Sequence, residues 1–76
     1  MDTEAMKLLS AGICMGIGSI APAIGEGMIA SKTMEAIGRN PKVADKLFPN
    51  MLVAMAVTES TGIYCLVISL IILFVA

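Results

Sequence analysis

The stretch Val57-Thr58-Glu59-Ser60-Thr61-Gly62-Ile63-Tyr64 holds the residues whose types and spacing can do chemistry. It sets one carboxylate inside a long apolar run: from Leu47 to Ala76 the only formal charge is Glu59. An ionisable group at that depth in a bilayer costs about 2.5–3.5 kcal/mol on insertion scales, and so marks a functional position. Oxygen-bearing groups surround it at helical spacing. Ser60 and Tyr64 lie four apart and share a helix face, and Val57, three before Ser60, can add its backbone carbonyl. This is the outline of an oxygen cage for a small hard cation or for a proton.

The rest of the chain must position that cage. Of 76 residues, 58% are hydrophobic and 14% charged, more apolar surface than so small a soluble domain could hide. The chain reads as an all-α membrane protein of a single domain. A net charge of −1 speaks against a nucleic-acid partner. Cys14 and Cys65 both lie in apolar runs, where small buried hydrophobes are expected rather than a disulfide. There is no histidine and no cysteine pair with metal spacing, so no zinc site is expected. The start, with two acids before Lys7 and a long apolar run behind it, does not read as a cleaved signal peptide.

Leu8 to Ser31 carries one charge, Glu26, and is long enough for a span, which needs about 20 residues. It is crowded with small residues. Gly12 and Gly16, Ala21 and Gly25, and Ala23 and Gly27 are each four apart, a spacing that lets helix backbones approach closely in lipid. They fall on more than one face, which a ring of inner helices explains better than a dimer. Pro22 removes the backbone donor for Gly18 and should interrupt this helix. Lys32 to Lys46 is polar and holds four of the five basic residues, with Gly38-Arg39-Asn40-Pro41 as its punctuation. Gly38 is expected to end the first helix, with Asn40 as N-cap and Pro41 in the first turn of the next. The expectation is a helical hairpin, with helix 1 over about 4–38, a turn over about 38–42 and helix 2 over about 41–75, and a bend near Phe48-Pro49. By the positive-inside rule the turn faces the cytoplasm and both termini face out.

The hairpin brings two acids together. From a turn centred at about residue 41, Glu26 and Glu59 both lie some 23–27 Å away at about 1.5 Å per residue, nearly the same depth. Two carboxylates held close cannot both ionise without a counter-charge, and they titrate as a pair. A Na⁺ site with both acids ionised would stay net negative in lipid, so one proton should remain, on Glu26, while Na⁺ binds. The expected ligands are Glu59, Glu26, the Val57 carbonyl and the Ser60 hydroxyl, with Tyr64 donating to Glu59 and Thr61 holding a water. Mg²⁺ and Ca²⁺ also suit hard oxygens, but a divalent ion would exchange slowly. A proton alone is the alternative. A loaded site is nearly neutral and can face hydrocarbon. An empty one is anionic and must stay near water or a positive charge, so loading can be coupled to movement. Each charge crossing the membrane is worth about 2.3 kcal/mol per 100 mV.

Gly-Ile-Gly-Ser-Ile-Ala-Pro-Ala-Ile-Gly-Glu-Gly (residues 16–27), Arg39-Asn40-Pro41 and Glu59-Ser-Thr-Gly-Ile-Tyr64 together resemble the proteolipid, or c-ring, family of bacterial rotary ATP synthases. The segment from Glu59 resembles the sodium-coupled branch, and the Pro-Ala-Ile-Gly-Glu segment the N-type sodium ATPases. The resemblance implies a homo-oligomeric membrane ring, first helices inside and second helices outside, in the bacterial plasma membrane. It implies a stator protein whose arginine meets the emptied Glu59, and a central stalk docked on Arg39, Asn40 and Pro41. Glu59 matches the ion-carrying carboxylate. Glu26, Val57, Ser60, Thr61 and Tyr64 match the remaining sodium-site positions. The chain departs from the family in Ala21-Pro22-Ala23, which interrupts the glycine repeat, and in Lys42, where an acid is usual. The protein is expected to be a non-catalytic, ion-translocating rotor component. A small pore-forming hairpin would need a continuous polar face, whereas the polar groups here cluster at one depth. A scaffold-only hairpin would leave Glu59, Ser60 and Tyr64 without a role.

Overall fold

A computed structural model describes residues 2–75. Three helices, α1 (Thr3–Gly18), α2 (Ile20–Arg39) and α3 (Ala44–Phe74), make two antiparallel rods. Asp2 starts the first rod, its Oδ1 accepting the Ala5 N–H at 2.7 Å. α1 and α2 follow one another with a single break at Ser19, where a proline at 22 should act. Pro22 has no N–H, so the Gly18 carbonyl loses its partner one turn on. The neighbouring bonds hold across the break: Ser19 N–H donates to Met15 O at 3.1 Å and Ala23 N–H to Ser19 O at 3.2 Å. Pro49 acts differently. It lies inside α3, which runs unbroken through it.

The turn corrects one detail. Gly38 does not end the first rod; that rod runs to Arg39, and no glycine among the described residues takes a positive φ. Asn40 does the capping on both sides. Its N–H closes on Ala36 O at 3.0 Å, and its Oδ1 accepts the Lys42 N–H at 3.3 Å. The first rod thus ends on a backbone bond without the left-handed glycine that often ends a helix, and the side-chain oxygen caps the start of the next turn. A short 3₁₀ turn, Pro41–Val43, then leads into α3.

The hairpin measures 58 × 18 × 8 Å, one helix thick. Its length exceeds the roughly 30 Å of a bilayer core, so the charged end projects beyond it. Both rods are long and apolar enough to span, and only 11% of each apolar window is buried within the hairpin. A core helix of a soluble protein would be mostly covered. Here Ile17, Ile24, Met28, Val53, Val57, Phe74 and others stay exposed, a surface suited to lipid or to further copies.

The covered residues repeat every seven positions. In the first rod they are Ala11, Gly18 and Gly25, with Met15, Pro22, Ile29 and Ala36; in α3 they are Met51, Thr58, Cys65 and Ile72, with Met55, Gly62 and Ser69. Seven residues in two turns is the coiled-coil period. Most of these side chains are small, so the rods approach closely. A Cβ built on Gly18 would lie 2.5 Å from Cys65 Sγ, and one on Gly25 would lie 3.1 Å from Thr58 Cγ2. Without a hydrophobic drive between helices in lipid, such close packing and interhelical hydrogen bonds hold the pair together. Ser69 Oγ supplies one bond to Ala11 O at 3.2 Å, and the Cys14 thiol another, longer one to Cys65 O at 3.6 Å. Both cysteines are free thiols. Cys65 Sγ rests against Gly18 while Cys14 Sγ faces the Cys65 carbonyl, so each fills a different gap in the seam.

Candidate functional site

The depth matching read from the turn is realised in space. α2 carries Glu26 and α3 carries Glu59 at one level, with their carboxyl groups near enough to interact. Thr58, one residue before Glu59, packs its methyl against Gly25, one residue before Glu26. The Thr58 hydroxyl is turned back to Ala54 O at 2.9 Å, so only the methyl faces the other rod. No third Asp, Glu, His or Cys joins the two acids among the described residues. The carboxylate-rich surround that suits a divalent cation is therefore missing.

The other expected ligands lie on a different face. Val57, Ser60, Thr61 and Tyr64 recur at three- and four-residue steps and are all exposed in the single hairpin. Ser60 Oγ donates to the Val57 carbonyl at 2.6 Å, which places those two oxygens side by side, as their spacing suggested. The lone pairs left on each can still serve a cation. Val57 is 68% and Tyr64 69% exposed. Tyr64 makes no hydrogen bond to Glu59 within the hairpin; the side-chain bonds in this part of α3 are those of Thr58, Ser60 and Ser69. Val57 and Thr61 line an open groove of about 400 Å³ together with Ala21, Pro22 and Thr58, beside the break in the first rod. One hairpin thus joins Glu59 to Glu26 and Ser60 to Val57, but it does not close Tyr64 over the site.

At the polar end, Arg39 Nη1 bonds Glu35 Oε1 at 3.2 Å, and Lys32 approaches the other Glu35 oxygen at 3.9 Å. Arg39, Asn40 and Pro41 are exposed at the tip. Lys42 and Lys46 form no ion pair among the described residues. Sequence reasoning missed Gly25, Thr58 and Gly62 at the level of the acids. The seven-residue recurrences Ala11, Gly18, Gly25 in the first rod and Met51, Thr58, Cys65 with Met55, Gly62, Ser69 in the second were the signal that could have found them.

Two membrane-length helices, antiparallel and carrying one pair of acids at the same level, define a membrane hairpin with a carboxyl pair inside its apolar spans. The chain belongs to the c-subunit family of ATP synthases, whose profile matches residues 9–72. It is similar to ATP synthase c-subunits from several bacteria. The Petrotoga mobilis protein is 56% identical over 69 residues, covering 91% of this chain and 72% of the relative. The Dehalococcoides mccartyi protein is 45% identical over 76 residues, covering all of both chains. The Thermotoga maritima protein is 51% identical over 69 residues, covering 91% of this chain and 81% of the relative. Such a chain is a non-catalytic membrane component of the complex.

Proposed function

We propose that this chain forms a rotor ring that carries Na⁺ on Glu59 across the membrane as the ring turns. The observation that supports this most is the pairing of Glu26 and Glu59 at one level of the two spans, where Gly25 and Thr58, the residues just before them, pack together. Paired acids there can hold one exchangeable cation and keep one proton, so the loaded site is nearly neutral. The Val57 carbonyl and the Ser60 hydroxyl lie on the outward face of α3, where a neighbouring hairpin can bring them beside a second copy's acids. Tyr64 closes the cage from the same face, and Thr61, on the groove wall, holds a water. Gly12, Gly16 and Gly27 meet nothing within 4 Å in the hairpin, which leaves room for the close approach of neighbouring first rods in a ring. Arg39, Asn40 and Pro41 contact the central stalk. The emptied Glu59 meets an arginine of the stator. The turn faces the cytoplasm of a bacterium, and lipid covers the outer rods.

A proton-only ring is the second reading. The pairing of the two carboxyls favours it, because two acids can share one proton without any cation.

Carbodiimide labelling of the purified ring near neutral pH separates the two, since the reagent attacks a protonated carboxyl. Labelling is expected at Glu59. Slowing by Na⁺ but not by K⁺ supports the sodium site. Labelling that is indifferent to Na⁺ at every pH leaves the proton ring. Absence of label on Glu59 sinks the carrier reading.

A further inference from the structure

Three glycines lie in the seam, and two have a cross-helix reason. Gly18 makes room for Cys65, and Gly25 for Thr58. Gly62 does not. A Cβ built there would lie 3.1 Å from Glu59 Oε1, 3.6 Å from Glu59 Cδ and 3.9 Å from Glu59 Oε2, all of them atoms of one side chain on the same helix. Its backbone is ordinary helix with no positive φ, so conformation does not call for glycine either. Glycine inside a helix is less favourable than alanine. What Gly62 spares is space for one carboxyl group.

That carboxyl is the one within reach of Glu26. Glu59 as a whole residue is exposed, while Gly62 is buried in the seam. The acid therefore starts from the rim of α3 and folds along its own helix into the gap beside Gly62. We propose that Gly62 is a positioning residue: the notch left by its missing side chain seats the Glu59 carboxyl along its own helix, within reach of Glu26. A methyl group in the notch would crowd Oε1 and displace the carboxyl outward by a few tenths of an ångström. This rests on Glu59 being the ion-carrying acid, but not on which ion it carries.

The test is carbodiimide labelling of purified rings carrying Gly62→Ala, Glu26→Ala, or both, compared with the unaltered ring. Alanine is the better helix former, so a role in helix stability alone predicts normal assembly and unchanged labelling. Seating predicts that Gly62→Ala rings assemble and that the labelling rate of Glu59 changes by about threefold to tenfold, the scale expected when a group is misplaced by a fraction of an ångström. Where Na⁺ protects the unaltered ring, its half-protecting concentration should rise by a similar factor. In the Glu26→Ala background the same substitution should add nothing, because the contact being seated is gone. Equal labelling with and without the methyl group overturns the proposal. So does an undiminished effect in the Glu26→Ala background, or failure of Gly62→Ala rings to assemble, which would make Gly62 a packing residue. Failure to label Glu59 in the unaltered ring would instead strike at the carrier reading itself.

Discussion

At the level of Glu59, α3 has two faces that are built in opposite ways. The seam face carries Thr58, Gly62 and Cys65, small side chains packed close to the first rod. The outward face carries Val57, Ser60, Thr61 and Tyr64, exposed and only partly bonded. On the seam face, contacts are made within the hairpin. On the outward face the oxygens are arranged but not enclosed. Glu59 stands at the boundary, an exposed residue whose carboxyl lies along its own helix beside Gly62. The difference teaches that the hairpin settles where the acid points, while assembly settles what closes over it.

The sharpest way to break that comparison is at the boundary residue. Glu59→Gln should leave rings assembled and abolish ion transport in reconstituted vesicles. If transport survived, the acid would not be the carrier. The outward face comes next. Ser60→Ala removes one ligand oxygen and should raise the Na⁺ concentration that half-protects Glu59 by about tenfold, a change worth about 1.4 kcal/mol, with ring stability unaltered. Unchanged protection would take Ser60 out of the cage. On the seam face the prediction reverses. Gly18→Ala drives a Cβ to within 2.5 Å of Cys65 Sγ and should cost about 1–3 kcal/mol of overpacking, read as a lower melting temperature of the ring in detergent. Gly18→Ala paired with Cys65→Ala should recover most of it, and lack of recovery would mean that the clash is not the cause. The smallest effect is expected at Ser69→Ala. It removes the bond to Ala11 O, and interhelical bonds of this kind average about 0.6 kcal/mol in a membrane. A loss several times larger would mean that Ser69 has a second partner in the ring.

Much of this was legible in the residues. Two apolar runs around a charged segment with Asn40-Pro41 at its centre predicted the hairpin, because a span is set by length and composition. The equal depth of Glu26 and Glu59 followed from helix rise alone. The break caused by Pro22 followed from its missing N–H. The glycines were harder to read. Their fourfold spacing pointed to close packing, but it could not say which face met which helix. Gly12, Gly16 and Gly27 turned out to face away from α3, and Gly18 and Gly25 toward it. The first rod ends one residue beyond Gly38, at Arg39, closed by the Asn40 backbone N–H on Ala36 O, while the Asn40 side chain caps the turn that follows.

Sequence by itself determined the class of molecule and the level of the acids. These depend on hydropathy and on distance along a helix, both local properties of the chain. Only the tertiary structure decided the rotation of each rod about its own axis. That rotation fixes which side of Glu59 faces Glu26, and it divides the candidate ligands into a seam set and an outward set. It depends on how small side chains on two helices interlock, and no single stretch of sequence contains both halves of that contact.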